Sequence, residues 1–361
     1  MLRATRRRWF TAMASTVVLV GLAAGCTAPS QQRATATKRV MGAGFSFDGD
    51  IIGMTAAQRN ADLDRAKAMG ATWVRLPFNW STLQMHGRGT YNWAPGDALV
   101  AAANARGLKI DAVVSYAPGW ARPAGSAETA PPSNAADYGS FLGAAAARYS
   151  KMGVHTWEIW NEPNLFTMWA PRPDVAKYTS LLKAAYPRIK AADPYATVLT
   201  GGTSPAYDAP DGSQQLPLTW LKGIYRNGGK GYFDAVAHHP STFPYSSYAS
   251  GDWNSFQQSR NLYAYMQLQG DGNKKVWATE IGFPTGTHNR AVTETMQGER
   301  FAESLSAGRN CSFAGPVFLY QVRDNGDNQG DVYQTFGLYR HDGRAKASVP
   351  RVTQAMNAMK Q

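Results

Sequence analysis

The sequence predicts an α/β chain of the (β/α)8 TIM-barrel class, on three observations. Eight apolar, strand-like runs succeed one another from residue 40 to the C-terminus, each followed by a helical pattern. Gly70, Gly107 and Gly153 stand just past helix ends and ahead of the next strand, where a left-handed residue stops a helix. No glycine-rich nucleotide fingerprint follows the first strand, which argues against a doubly wound open sheet.

In chain order the predicted strands are Met41–Phe47, Trp73–Phe78, Lys109–Tyr116, Thr156–Asn161, Thr197–Thr203, Phe233–His239, Lys275–Ile281 and Pro316–Val322. The first helix opens on Thr55-Ala56-Ala57-Gln58, a capping-box pattern in which side chain and backbone satisfy each other's orphan donors. Tyr138, Phe141, Leu142, Ala145, Tyr149 and Met152 recur at helical spacing after strand three. Val175, Tyr178, Leu181, Leu182, Ala185 and Ile189 do the same after strand four. With 44% hydrophobic and 12% aromatic residues the chain can bury a large core, and residues 40–361 read as one domain.

The first 39 residues read differently. Arg3, Arg6, Arg7 and Arg8 precede an apolar run from Ala12 to Ala24, too short to span a bilayer of about 20 residues' thickness. Residues 1–25 therefore read as an export signal peptide. Leu22-Ala23-Ala24-Gly25-Cys26 resembles a bacterial lipobox, although its Leu stands one place further from the cysteine than usual. That resemblance implies acylation of Cys26 and a lipoprotein on the outer face of the cell membrane. Arg7-Arg8-Trp9-Phe10 also resembles a twin-arginine export motif, with Thr11 in place of the commoner Leu. Residues 26–39, rich in Ser, Thr, Gln, Ala and Pro, read as a flexible tether. Cys311, the only other cysteine, is expected to be buried and structural, and without a partner if Cys26 is acylated.

The leader also explains the charge. Of the formal +12, the four leader arginines leave +8, and Arg33, Lys38 and Arg39 leave +5 on the remainder. No basic cluster interleaved with aromatics follows residue 40, so no nucleic-acid partner is expected.

Two acidic residues stand where barrel enzymes place their chemistry, at the C-terminal ends of strands. Strand four ends in Trp160-Asn161-Glu162-Pro163-Asn164, and strand seven in Thr279-Glu280-Ile281-Gly282. Together they resemble clan A of the glycoside hydrolases, most closely family 39 and next family 5. The resemblance extends to Arg75 on strand two, Pro118-Gly119-Trp120-Ala121 after strand three and His239-Pro240 after strand six. It also takes in Gly337-Leu338, Asp342-Gly343 and Lys346 near the end. It implies a retaining glycosidase with Glu162 as acid/base and Glu280 as nucleophile, needing no cofactor or metal. Asn161 would bind a sugar 2-hydroxyl, and Arg75 would lie beside Glu280 and keep it ionised. Glu162 would need a raised pKa to hold its proton.

Glu158 shares strand parity with Glu162 but lies about 13 Å deeper at roughly 3.3 Å per residue, so it reads as structural. The chain departs from the resemblance in two places. Ser241 follows His239-Pro240 where a Tyr is usual, leaving Tyr245 as the replacement, and strand eight offers Tyr320 where a Trp commonly floors the pocket. Trp80, Trp120 and Trp169 follow strands two, three and four as candidate sugar-stacking rings. One of His238 and His239 should point inward, and the pair is not expected to hold a metal. The loop from Asp324 to Asp331 lacks the closing Glu of a calcium loop and reads as solvated. The expected partner is a carbohydrate substrate. A binding lipoprotein without turnover and a wall-glycan transglycosylase remain the alternatives to a hydrolase.

Overall fold

The computed structural model describes residues 40–361, so the signal peptide, the lipobox Cys26 and the tether lie outside the described residues. Eight strands close into a barrel in sequence order: β1 (Ala43–Ser46), β2 (Trp73–Pro77), β3 (Lys109–Val114), β4 (Thr156–Asn161), β5 (Thr197–Gly202), β6 (Ala235–His238), β7 (Lys275–Gly282) and β8 (Ala314–Tyr320). β1 pairs in parallel with both β2 and β8, which closes the ring and leaves no strand edge. Around it run α1 (Ala56–Ala68), α2 (Trp80–Leu83), α3 (Ala94–Asn104), α4 (Ala135–Tyr149), α5 (Val175–Ala192), α6 (Pro217–Arg226), α7 (Ser255–Leu268), α8 (Glu294–Asn310) and α9 (Val349–Ala358). Among the described residues no helix is long and apolar enough to cross a membrane.

Local signals act as the sequence suggests. Thr55 and Gln58 form both halves of the capping box of α1. Gly70, Gly107 and Gly153 take φ of +101°, +61° and +86°, conformations that would strain any residue with a Cβ. Each amphipathic helix lays its apolar stripe on the barrel; α4 buries Tyr138, Phe141, Leu142, Ala145 and Tyr149.

The barrel interior is filled in two layers. Trp73, Trp277 and Phe318 meet ring to ring at 5.4–6.4 Å as an aromatic plug. Arg75 stands two residues beyond Trp73, on the same face of β2 and one step nearer the C-terminal mouth. The interior is thus apolar below and charged above. Cys311 is buried, as expected of a structural cysteine.

Candidate active site

Arg75 organises the polar layer. Its side chain is 2% exposed, and a guanidinium so deep in the barrel needs every donor satisfied. Nε and one terminal nitrogen grip Glu158 bidentately at 3.0 and 2.8 Å. That same nitrogen reaches Asn161 Oδ1 at 2.7 Å, while the other bonds Ser46 Oγ at 3.1 Å and the carboxylate of Glu280. One side chain therefore ties β1, β2, β4 and β7 together. Glu158 is fully buried and reaches no open space, in keeping with a structural role. Its Oε1 also accepts the Gly202 amide at 2.9 Å.

A regular strand would send Glu158 and Asn161 to opposite faces, yet both touch Arg75. The reason is Trp160, whose φ of +72° breaks the pleat so that Asn161 turns inward. Glu162 follows at φ +44° and stands at the mouth. Packing holds this unfavourable backbone. The Trp160 ring is buried against Tyr138 and Trp169, and its Nε1 donates to the Met168 carbonyl at 2.8 Å. Asn164, wholly buried, clamps the following turn through the carbonyls of Ser204 and Gln215, both at 2.9 Å.

Glu162 and Glu280 meet through His239. Its Nδ1 lies 2.9 Å from Glu162 Oε1 and 3.7 Å from Glu280 Oε2. Gly202 makes room for the ring: a Cβ there would sit 2.2 Å from His239 Nε2. Burial pushes the His239 imidazolium down, but Glu280 and Glu162 outweigh it and the pKa is raised. Burial pushes Glu162 up, yet the hydrogen bond and charge of His239, with Ser204 and Arg75, hold it below its ordinary value. This corrects the expected raised pKa of Glu162. Glu280 goes the other way: burial, with repulsion from Glu162 and Asp48, raises it despite His239 and Arg75. Arg75 thus favours the ionised form of Glu280 without alone deciding it. The three side chains offer one ligand atom each within 4.8 Å of one another, a donor set of the kind that holds a metal ion.

The family model for cellulase (glycosyl hydrolase family 5) matches residues 33–302. The chain belongs to glycosyl hydrolase family 5. Solved glycoside hydrolase structures of families 39 and 5 share its barrel. A family 39 glycoside hydrolase from the gut symbiont Bacteroides cellulosilyticus WH2 is 24% identical over 90% of this chain, with a TM-score of 0.68. The family 5 chain spans 65% of that protein's length. A family 39 β-xylosidase from Caulobacter crescentus is 20% identical, covering 92% of this chain and 74% of its own, at a TM-score of 0.66. A family 5 subfamily 18 enzyme from Bifidobacterium longum, solved with Manβ1-4GlcNAc, is 16% identical over 88% of this chain and 78% of its own, at 0.67. No curated protein matches the family 5 chain.

The remaining predicted residues of the family 5 site divide. Trp80 and Trp169 are corrected: both are fully buried core rings, Trp80 against Tyr138 and Phe141, Trp169 against Trp160 and Tyr178. Neither has a face open to a sugar. Trp120 is half-buried, with its Nε1 on the Gln84 carbonyl at 2.8 Å and the Arg88 guanidinium over its ring. Tyr245 is exposed and packs on Trp253 at 4.9 Å, not on Glu280. Tyr320 does reach the mouth, where its hydroxyl donates to Asp48. His238 points away from the site, held by Thr203 and Ser255, and burial lowers its pKa to about 4. The loop after β8 is not simply solvated: buried Asp324 pairs with Lys346 Nζ at 2.8 Å, and Asn325 reaches Asp48.

Sequence reading missed Ser46, Asp48, Asp111, Tyr116 and Ser204. Tyr116 takes φ +60° just past β3, and burial with the charges of Asp48, Glu162 and Glu280 raises its pKa. Asp111 lies wholly buried in the charged layer, where burial and the charge of Glu158 push its pKa well up. One sequence signal was available for Ser46: it closes the first strand, at the end that holds the chemistry.

Proposed function

We propose that this family 5 enzyme is a retaining glycosidase. It cleaves O-glycosidic bonds of a cell-surface or environmental polysaccharide or oligosaccharide by double displacement. Glu162 serves as acid/base and Glu280 as nucleophile. The observation that carries the reading is their approach: one carboxylate oxygen from each lies within 4.8 Å of the other. Retaining pairs stand about 5–5.5 Å apart, whereas inverting pairs leave about 6.5–9.5 Å for a water.

The hydrogen bonds around the pair fit the same roles. A proton on His239 Nδ1 facing ionised Glu162, and neutral His239 facing protonated Glu162, differ only in which side of a 2.9 Å hydrogen bond holds it. His239 is thus a store from which Glu162 draws its proton as the leaving oxygen departs. Glu280, held by Arg75 and Ser46, attacks the anomeric carbon from the opposite side and forms the glycosyl-enzyme. Glu162 then takes a proton from the incoming water. Asn161 gives its oxygen to Arg75, which leaves its amide nitrogen to bind the sugar 2-hydroxyl. Export under the leader and anchoring through acylated Cys26 would set this chemistry on the outer face of the membrane.

Incubating the full chain with a panel of β-linked glycans and following the first-formed anomer by proton NMR tests the proposal. Retention is expected. Initial release of the opposite anomer, or turnover of no glycan, contradicts it.

A further inference from the structure

We propose that Asp48 is a specificity-determining residue of this pocket: a fixed hydroxyl acceptor that favours neutral glycosyl residues and turns away anionic ones such as uronosides. The inference rests on the glycosidase reading and narrows its substrate class.

Asp48 follows β1 and is half-buried, two residues beyond Ser46, whose hydroxyl lies 3.4 Å from Glu280. Its Oδ2 takes two donors, the Tyr320 hydroxyl and Asn325 Nδ2, the latter at 2.8 Å. Both donors are themselves held. The Tyr320 ring packs on Phe336 at 5.1 Å, and Gln321 donates to Asn325 Oδ1 at 2.7 Å, which fixes the amide with its nitrogen toward Asp48. Among the described hydrogen bonds none ends on Oδ1, so a carboxylate held from one side presents its other oxygen. Tyr320, which donates to Asp48, ends β8 beside Gly282 on β7, two residues beyond Glu280, so Asp48, Tyr320 and Glu280 stand at one mouth of the barrel.

The charge count in that space decides what it accepts. Asp48, Glu162 and Glu280 supply three carboxyl groups. The cations that touch them are already engaged, Arg75 with Glu158 and Glu280, His239 with Glu162. A uronic acid would bring a further negative charge to a space whose contacting cations, Arg75 and His239, are already paired, whereas a neutral sugar brings hydroxyl donors to an acceptor of fixed position. Sites built to hydrogen-bond a substrate group discriminate strongly, because the wrong ligand leaves their polar atoms unpaired.

Asp48→Asn tests this directly. Tyr320 and Asn325 both donate, so the new amide must turn its oxygen to them and its NH2 to the pocket. The site then offers a donor where it offered an acceptor. The readout is kcat/KM on 4-nitrophenyl β-glucoside, xyloside, galactoside and mannoside against the β-glucuronide and β-galacturonide. In the wild type the best neutral substrate should exceed the best uronide by at least about 10²-fold, and Asp48→Asn should cut that ratio at least about tenfold. Tyr320→Phe, which frees one side of the carboxylate, should cut it by less, and serves alone if the Asp48 variant does not fold. A wild type that hydrolyses uronides as well as neutral glycosides, or variants that lower both classes equally, overturns the inference and leaves the glycosidase reading standing. A wild type that hydrolyses none of the six overturns the inference, and the glycan panel then decides the glycosidase reading.

Discussion

At the scale of single residues the site works by sharing charges. Arg75 is gripped by Glu158 and shared with Glu280 and Asn161, and His239 is shared between Glu162 and Glu280. This gives the pH profile a predicted shape. Glu280 must be ionised, and its raised pKa puts the acidic limb of kcat/KM above the ordinary carboxylate range. The shared proton must be present, and the raised pKa of His239 puts the basic limb above the roughly 6.5 of free imidazole. His239→Asn removes the store, so activity should fall about 10²-fold and the basic limb should move to lower pH. A pH–rate series on an aryl glycoside checks both, and an unmoved basic limb in the variant contradicts the shared proton. Glu162, Glu280, Arg75 and Asn161 were legible because each sits in a motif at a strand end. Asp48 and Tyr116 were not, because a lone Asp or Tyr in a loop carries no pattern until the barrel closes around it.

At the scale of elements, all eight strands and the capped first helix could be read from periodicity and glycine stops, since burial on a barrel demands that alternation. The turn at Trp160 could not. A tryptophan at φ +72° leaves no mark in the sequence, and the parity argument for Glu158 and Glu162 assumed a regular pleat that the strand abandons there. β5 fits β6 around the site just as closely. Gly202→Ala should push His239 out of line, because its new Cβ would fall 2.2 Å from the ring. About a 10²-fold loss in kcat/KM is expected, since misplacing a catalytic group by about an ångström costs that much. Full activity in the variant would show that the ring moves freely. The loop after β8 depends on a different contact. Lys346, 1% exposed, holds Asp324 and the Thr285 hydroxyl, so Lys346→Met strands a buried carboxylate. Denaturant unfolding should show a loss of about 3–5 kcal/mol, and a loss under 1 kcal/mol would mean the carboxyl is readily protonated or rehydrated.

At the scale of the whole molecule, a barrel that brings Glu162 and Glu280 to one mouth follows a leader that reads as an address. If Cys26 is acylated as proposed, Cys26→Ser should move the protein from the membrane fraction to the soluble one without loss of folding, because the polar residues 27–39 would separate the anchor from the barrel. Acylation of Cys26 and a disulfide between the chain's two cysteines exclude one another, so fractionation with intact-mass measurement decides between them. A wild type found wholly in the medium contradicts the anchor. The central claim, the division of labour between the carboxylates, is tested most directly by comparing Glu162→Ala and Glu280→Ala on an activated aryl β-glycoside with and without azide. A good leaving group departs without a proton, so Glu162→Ala should keep a sizeable glycosylation rate and be rescued by azide as the β-glycosyl azide. A nucleophile is needed whatever departs, so Glu280→Ala should be inactive alone, and any azide product should be the α-anomer of a single displacement. The reverse pattern would exchange the two roles, and undiminished activity in both variants would place the chemistry elsewhere.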